Sequence, residues 1–299
     1  MTDRADIYQD VTDRIVAALN EGVRPWDKPW TSKGTTRPLR HNGVPYRGIN
    51  VLILWMTATA AGYLSPFWMT FKQAAELGGH VRKGAKATRV VYAGTREIEE
   101  EGDDGGSVSQ SIRFMKTFYV FSADQIEGLP SAYYVPEEEL PPAPARIEAA
   151  ERFLANVPAT VEHGGNQAFY RITTDEIRLP EFEAFRDAEQ YYSTRAHETV
   201  HWTRHPSRLD RDFGRQQWGD EGYAQEELVA ELGAAFLGAD LGFRPDHIID
   251  HAAYIASWLQ ALKNDKRFIF KAAAAAQRAV DLIHSFQPDR QEGTEEAAA

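Results

Sequence analysis

The sequence predicts an α+β protein of two domains: an N-terminal α+β domain with a small antiparallel sheet, and a mostly helical C-terminal domain. Three observations carry this reading. Residues 88–98 and 112–121 are rich in β-branched and aromatic residues in partial alternation, and they flank an acidic, Gly-containing stretch, the signature of a hairpin with a long solvated loop. Residues 128–144 hold Pro130, Pro136, Pro141, Pro142 and Pro144 with Glu137–Glu139 among them, a composition unlike packed structure. Beyond that stretch most segments carry helical rather than strand periodicity. The expected organisation is therefore a first domain over 1–128, a linker over 129–144, a second domain over 145–286, and a polar, small-residue tail over 287–299 that should be disordered.

The elements follow in order. Ile7, Val11, Ile15, Ala18 and Leu19 share one face of an amphipathic helix. A loop rich in Pro, Gly, Lys, Arg and Trp runs to about Arg47. Residues 51–62 read as an apolar helix and 70–77 as a shorter one, stopped by Gly78-Gly79. Lys83-Gly84 reads as a tight turn before the hairpin, whose acids Glu97, Glu99, Glu100, Glu101, Asp103 and Asp104 form a solubilising tip. In the second half a helix over 145–157 precedes a short hairpin over 168–173 and 176–179. A helix then runs from about Phe185 to a break at Pro206, a further helix contains Glu227, and two more span 248–262 and 265–286.

The string His197-Glu198-Thr199-Val200-His201 lies on the first of these later helices. Residues four apart share a helix face, so both imidazoles can point at one spot and bind one metal ion. This is the HExxH pattern of zinc peptidases, in which the glutamate acts on a metal-activated water. A third protein ligand is needed. The extension HExxHxxGxxH fails, because Arg204 and Ser207 occupy the glycine and histidine positions. The alternative is a carboxylate from another helix. Glu227 and Glu231, four apart beside the apolar stripe Leu228, Leu232, Ala235, Phe236 and Ala239, offer one. We assign Glu227 as the third ligand and Glu231 as the acid that orients a histidine. The reverse order, and Glu226, Asp210 or Asp212, remain as alternatives. Glu198 is the expected general base, and Tyr223 is a candidate donor to the oxyanion. The ion is expected to be Zn2+, with Mn2+ or Co2+ as alternatives.

Composition sets outer limits. The 299 residues are 43% hydrophobic and 26% charged, an ordinary globular mixture. There is no cysteine, which excludes disulfides, thiolate ligands and a cysteine nucleophile, and which fits a reducing, cytoplasmic location. No apolar run reaches membrane-spanning length, the nearest being residues 49–61, and the opening residues do not resemble a secretory signal. No membrane partner is expected.

The net charge of −11 is unevenly spread. Between Gly22 and Arg96 there are 12 basic and 2 acidic residues, so that stretch carries +10 and the rest −21. Such asymmetry is the footprint of a polyanionic partner for the first domain. Single strands are held by aromatic faces and a basic track. Trp26, Lys28 and Trp30 in the loop, with Arg40, Arg47, Lys72, Lys83 and Lys86, are the candidate nucleic-acid contacts, whereas Trp55 inside its apolar helix reads as core.

Taken together, the strings at 23–30 (VRPWDKPW), 46–50 (YRGIN), 68–72 (WMTFK), 79–84 (GHVRKG), 120–125 (VFSADQ), 197–202 (HETVHW) and 226–231 (EELVAE) resemble the ArdC family of plasmid antirestriction proteins. The resemblance implies an N-terminal domain that binds single-stranded DNA and a C-terminal zincin-like metallopeptidase domain. It implies a bacterial role in conjugation, protecting incoming DNA from host restriction, with delivery to the recipient cell. It implies a protein substrate, such as a restriction-system component. On it, His197, His201 and Glu227 carry over as metal ligands and Glu198 as the catalytic residue. The competing expectation is a single-stranded-DNA-binding replication or conjugation accessory protein whose metal-bound zincin domain is a non-catalytic scaffold.

Overall fold

A computed structural model gives the architecture, and the residues described are 6–26, 37–101, 107–134, 143–214, 221–244 and 251–288. The chain divides into two compact units, Met1–Leu140 and Pro141–Ala299. No described helix is long and apolar enough to cross a membrane.

The first unit opens with α1 (Ile7–Asn20), capped by the Asp6 side chain on the Tyr8 amide, and it buries Ile7, Val11, Ile15 and Leu19. Helix α2 (Ile49–Ala61) is apolar on nearly every side and is correspondingly buried, including Trp55. It stops at Gly62, whose φ of +70° is the left-handed conformation glycine adopts without strain. The short helix α3 (Phe71–Glu76) starts with a capping box in which Thr70 and Gln73 satisfy each other's backbone amides.

The main sheet has four strands in the order β1 (Leu39–Arg40), β2 (Phe67–Met69), β5 (Ser107–Ser122), β4 (Thr88–Glu101). Strands β2, β5 and β4 run antiparallel, whereas β1 joins β2 in parallel, so the small antiparallel sheet acquires one parallel edge. The β4–β5 pair keeps one register from Thr88↔Val120 to Glu101↔Ser107. A separate pair, β3 (His80–Val81) and β6 (Ile126–Glu127), closes the unit. The outer edge of β4 is met at one point by Asn50 of α2. Its Oδ1 accepts from the Val91 amide and its Nδ2 donates to the Val91 carbonyl, both at 2.8 Å.

The proposed linker over 129–144 is shorter than its proline content suggested. Leu129 is buried, the Tyr133 hydroxyl donates to the His41 carbonyl and that of Tyr134 to Ile126, so this end packs into the first unit. Its far end, from Ala143, already belongs to α4 (Ala143–Ala155). Prolines are tolerated there because a first helical turn has no intrahelical use for its amides. Most of the proposed tail, 289–299, lies outside the described residues.

The second unit packs α4, α5 (Ala188–Trp202), α6 (Glu221–Leu241), α7 (His251–Asn264) and α8 (Phe268–Ser285) beside a three-stranded sheet. That sheet has the order β7 (Thr160–His163), β9 (Glu176–Leu179), β8 (Phe169–Arg171), with β7 parallel and β8 antiparallel to β9. The hairpin β8–β9 falls where the sequence predicts it; β7 has no comparable signal, being four residues with three of them exposed. Helix α6 lies at the centre and packs on α5, α7 and α8. It is apolar around most of its circumference and therefore shows almost no amphipathic stripe.

Candidate metal centre

The site is built by α5 and α6. Asp187 caps α5 by accepting from the Gln190 amide at 2.8 Å. From Tyr191 to Trp202 every residue of the helix is buried, so His197 and His201 sit in the interior of the unit rather than on a solvated face. Helix α6 approaches closely because it carries Gly233 at the crossing: a methyl group there would lie 2.6 Å from Cγ2 of Val200, on the turn between the histidines. That contact sets how near the α6 carboxylates come to the imidazoles.

Three ligand-type atoms converge. Nε2 of His197 and Nε2 of His201 are 3.1 Å apart, and the Glu227 carboxylate lies 3.6 Å from the first and 3.5 Å from the second. Among the described residues this is the group able to hold a metal ion. Ligands about 2.0–2.1 Å from a tetrahedral ion stand about 3.3–3.4 Å from one another, so the spacing and the two-nitrogen, one-oxygen donor set fit a divalent cation. Asp210 and Asp212 are not part of this group.

Glu226 supplies a carboxylate that orients His201. Its Oε1 lies 3.0 Å from Nδ1 of His201, the ring nitrogen turned away from Glu227. Arg211 holds Glu226 with two hydrogen bonds of 2.7 Å, and donates also to Thr203 Oγ1 and the Val200 carbonyl at the end of α5. Glu231 is buried one turn beyond Glu227. What holds Glu226 in place is Arg211, brought back by a turn in which Asp210 adopts φ +44°. Nothing in the sequence flags that ion pair 15 residues apart.

The electrostatics follow from this packing. Burial works against charge on His201, but the Glu227 carboxylate and the hydrogen bonds to Glu226 and Glu227 outweigh it and raise its pKa well above the usual imidazole value. Burial likewise pushes Glu226 and Glu227 up, yet Arg211 and His201 hold Glu226 below the usual carboxylate range, and His201 and His197 do the same for Glu227. The shifts share one cause, imidazoles packed against carboxylates away from water, and a cation bound by the same atoms would compete with the imidazole proton.

A cleft of about 530 Å3 opens on this group. Glu198, 4% exposed, lines it beside both histidines. So does Tyr223, whose ring stacks on Tyr254 with the two hydroxyls 3.1 Å apart. Burial, followed by the Glu227 carboxylate, raises both tyrosine pKa values, which keeps the hydroxyls protonated. Tyr254 and Arg204 in the same wall escaped sequence reasoning; neither belongs to a spaced motif.

The candidate nucleic-acid residues of the first unit fare differently. Arg40, Arg47, Lys72, Lys83 and Lys86 are all exposed. Lys83 and Lys86 flank the turn at Gly84, and Arg40 lies over the ring of Tyr46. Lys28 and Trp30 lie outside the described residues. Trp26 is 1% exposed, so it is a core side chain with no free face for a base. Its loop context argued for exposure, but the turn that follows α1 places this large apolar ring in the core.

Both units are similar to known proteins. Residues 5–121 match the family described as the N-terminal domain of anti-restriction factor ArdC, and residues 148–275 match the zincin-like metallopeptidase family. The metal-free crystal structure of antirestriction protein ArdC from plasmid R388 is 45% identical, with a TM-score of 0.77 over 94% of this chain and 97% of that one. Its Mn(II)-bound form gives 44% and 0.78, over 96% and 100%. Protein y4eC of Sinorhizobium fredii (strain NBRC 101917 / NGR234) is 39% identical over 98% of this chain and 96% of its own. A DNA primase TraC of Escherichia coli is 40% identical over 94% of this chain, which spans only 27% of that primase. The chain belongs to the ArdC antirestriction family.

Proposed function

We propose that this protein binds single-stranded DNA through its first unit, hydrolyses a peptide bond with its second, and thereby protects incoming conjugative DNA from host restriction. The observation that carries the hydrolytic part is the convergence of His197, His201 and Glu227 in a cleft that also holds Glu198. A divalent ion held by those three side chains supplies Lewis acidity, polarising a carbonyl and making water nucleophilic near neutral pH. Zn2+ suits the donor set, and the Mn(II)-bound relative keeps Mn2+ in view. The Glu198 carboxylate takes the proton of the attacking water and passes it to the leaving nitrogen. The Tyr223–Tyr254 hydroxyl pair offers a donor to the substrate oxygen as negative charge develops on it. The substrate is a protein, for which a component of a restriction system is the reading most consistent with the family.

The position of Glu198 favours catalysis over a metal-stabilised scaffold, because a scaffold needs the ligands but not a buried carboxylate beside them. The test is Glu198→Gln. Metal content should be unchanged while protection of transferred DNA is lost. Full protection by a metal-loaded Glu198→Gln protein would reject the peptidase mechanism and leave the scaffold reading.

The DNA-binding part rests on the +10 stretch and on the exposed cations Arg40, Arg47, Lys72, Lys83 and Lys86. Affinity for a single-stranded oligonucleotide should fall steeply with salt. Absence of binding at low salt would reject it.

A further inference from the structure

Beyond Val90 and Val120 the β4–β5 ribbon leaves the core, and one of its faces is aromatic. Cross-strand pairing sets Val90 opposite Phe118, Tyr92 opposite Lys116, and Gly94 opposite Phe114, so these side chains share a face. Tyr92 is 53% exposed and Phe118 46%. Tyr92 lies between the other two rings, 6.1 Å from Phe114 and 6.5 Å from Phe118 between centroids, and the Lys116 ammonium sits 5.2 Å over the Phe114 ring. Gly94 makes room for this arrangement: a methyl group there would meet the Phe114 ring at 2.7 Å and the Tyr92 ring at 3.0 Å.

Three rings held against one another outside the core are costly unless something covers them. We infer that this face is a stacking platform for the bases of single-stranded DNA, an inference that rests on the DNA-binding reading above and gives it a location. Three features select this occupant. The face carries a lysine and no acidic residue among its described side chains, which suits a polyanion. The stretch that contains Tyr92 and Gly94 is the basic one. Tyr92 and Phe118 are each about half exposed, and ring planes inclined by 46° and 79° turn the three faces in different directions, so the rings suit a strand whose bases are already unstacked. The bases stack on Tyr92 and Phe118, and Lys116 contacts the phosphate track.

The experiment measures binding of a fluorescein-labelled oligothymidine to the full-length protein and to Tyr92→Ala, Phe118→Ala, Tyr92→Leu, Tyr92→Phe and Lys116→Ala, each checked for an unchanged thermal melt. Loss of a stacking ring should weaken binding on the order of 10-fold. Tyr92→Leu keeps the apolar bulk without the π face and should lose as much as Tyr92→Ala, whereas Tyr92→Phe should bind as wild type. Lys116→Ala should lower the salt slope by about one contact. If wild type binds and the Tyr92 and Phe118 variants bind equally well, this face is not the platform, although the protein still binds DNA. If wild type does not bind, both readings fall. If the variants abolish a concentration-dependent dimer and leave DNA affinity intact, the face is a self-association surface and the inference is overturned.

Discussion

Nδ1 of His201 and Oε1 of Glu226 lie 3.0 Å apart, and both side chains are buried. This contact fixes which imidazole nitrogen is left to face His197 and Glu227, and Arg211 fixes the carboxylate in turn. Replacing Glu226 with Gln keeps the volume but loses the charge that aligns both neighbours. Affinity for a divalent cation should fall 10- to 100-fold, the usual range for loss of a group that supports a ligand. Competition against a chelator of known affinity measures this; an unchanged constant would mean that His201 holds its orientation without Glu226.

At Gly233 helix α6 runs so near α5 that an added methyl group would stand 2.6 Å from Val200. Gly233→Ala gains up to about 1 kcal/mol of helix propensity, but its methyl group collides with Val200. Overpacking of this kind costs about 1–3 kcal/mol, so the variant should be less stable to urea and should bind metal more weakly as α6 is displaced. Adding Val200→Ala should recover much of the metal affinity, and the double-mutant cycle gives the coupling. Independent, additive losses would mean that this contact does not set the helix spacing.

Trp26 provides a test of core against contact. As a fully buried ring it should cost about 3–5 kcal/mol on truncation to Ala. Denaturant unfolding followed by circular dichroism measures that loss. A variant of wild-type stability with weakened DNA binding would return Trp26 to the role its loop position suggested.

Asp175 has its carboxyl held below the usual range, first by the Arg208 hydrogen bonds, against the opposing effect of burial. The ion pair ties the β8–β9 turn to the segment that follows α5. The folded pKa is depressed, so the contribution to stability is present above the unfolded value near 3.8 and is lost as pH falls through the folded one. Asp175→Asn tolerates the φ of +55° at this position and removes the charge. Its stability deficit should be full at pH 6–7 and should shrink as pH falls below 3.8 and through the lower folded value. A deficit independent of pH would assign the effect to hydrogen bonding alone.

The two halves were legible to different depths. The hairpin of β4 and β5 and the pairing of His197 with His201 follow from local period, and local period is what a sequence displays directly. Glu227 needed one further assumption, that a second helix packs on α5, and its apolar residues supplied it. The contact of Glu226 with His201 was out of reach because it depends on where Arg211 returns after a left-handed turn. The aromatic face of the ribbon was hidden for a similar reason: Tyr92, Phe114 and Phe118 read as ordinary strand residues until the register shows how far they lie beyond the core.

Asn50 has a consequence of its own. A border strand with exposed amides and carbonyls is an invitation to any other extended chain. By occupying both backbone groups of Val91, a single side-chain amide closes the border where the ribbon leaves the body of the unit. Runaway pairing between molecules is thereby obstructed there without a charged residue or a proline. Asn50→Ala should therefore leave the fold recognisable and make concentrated solutions prone to fibrils.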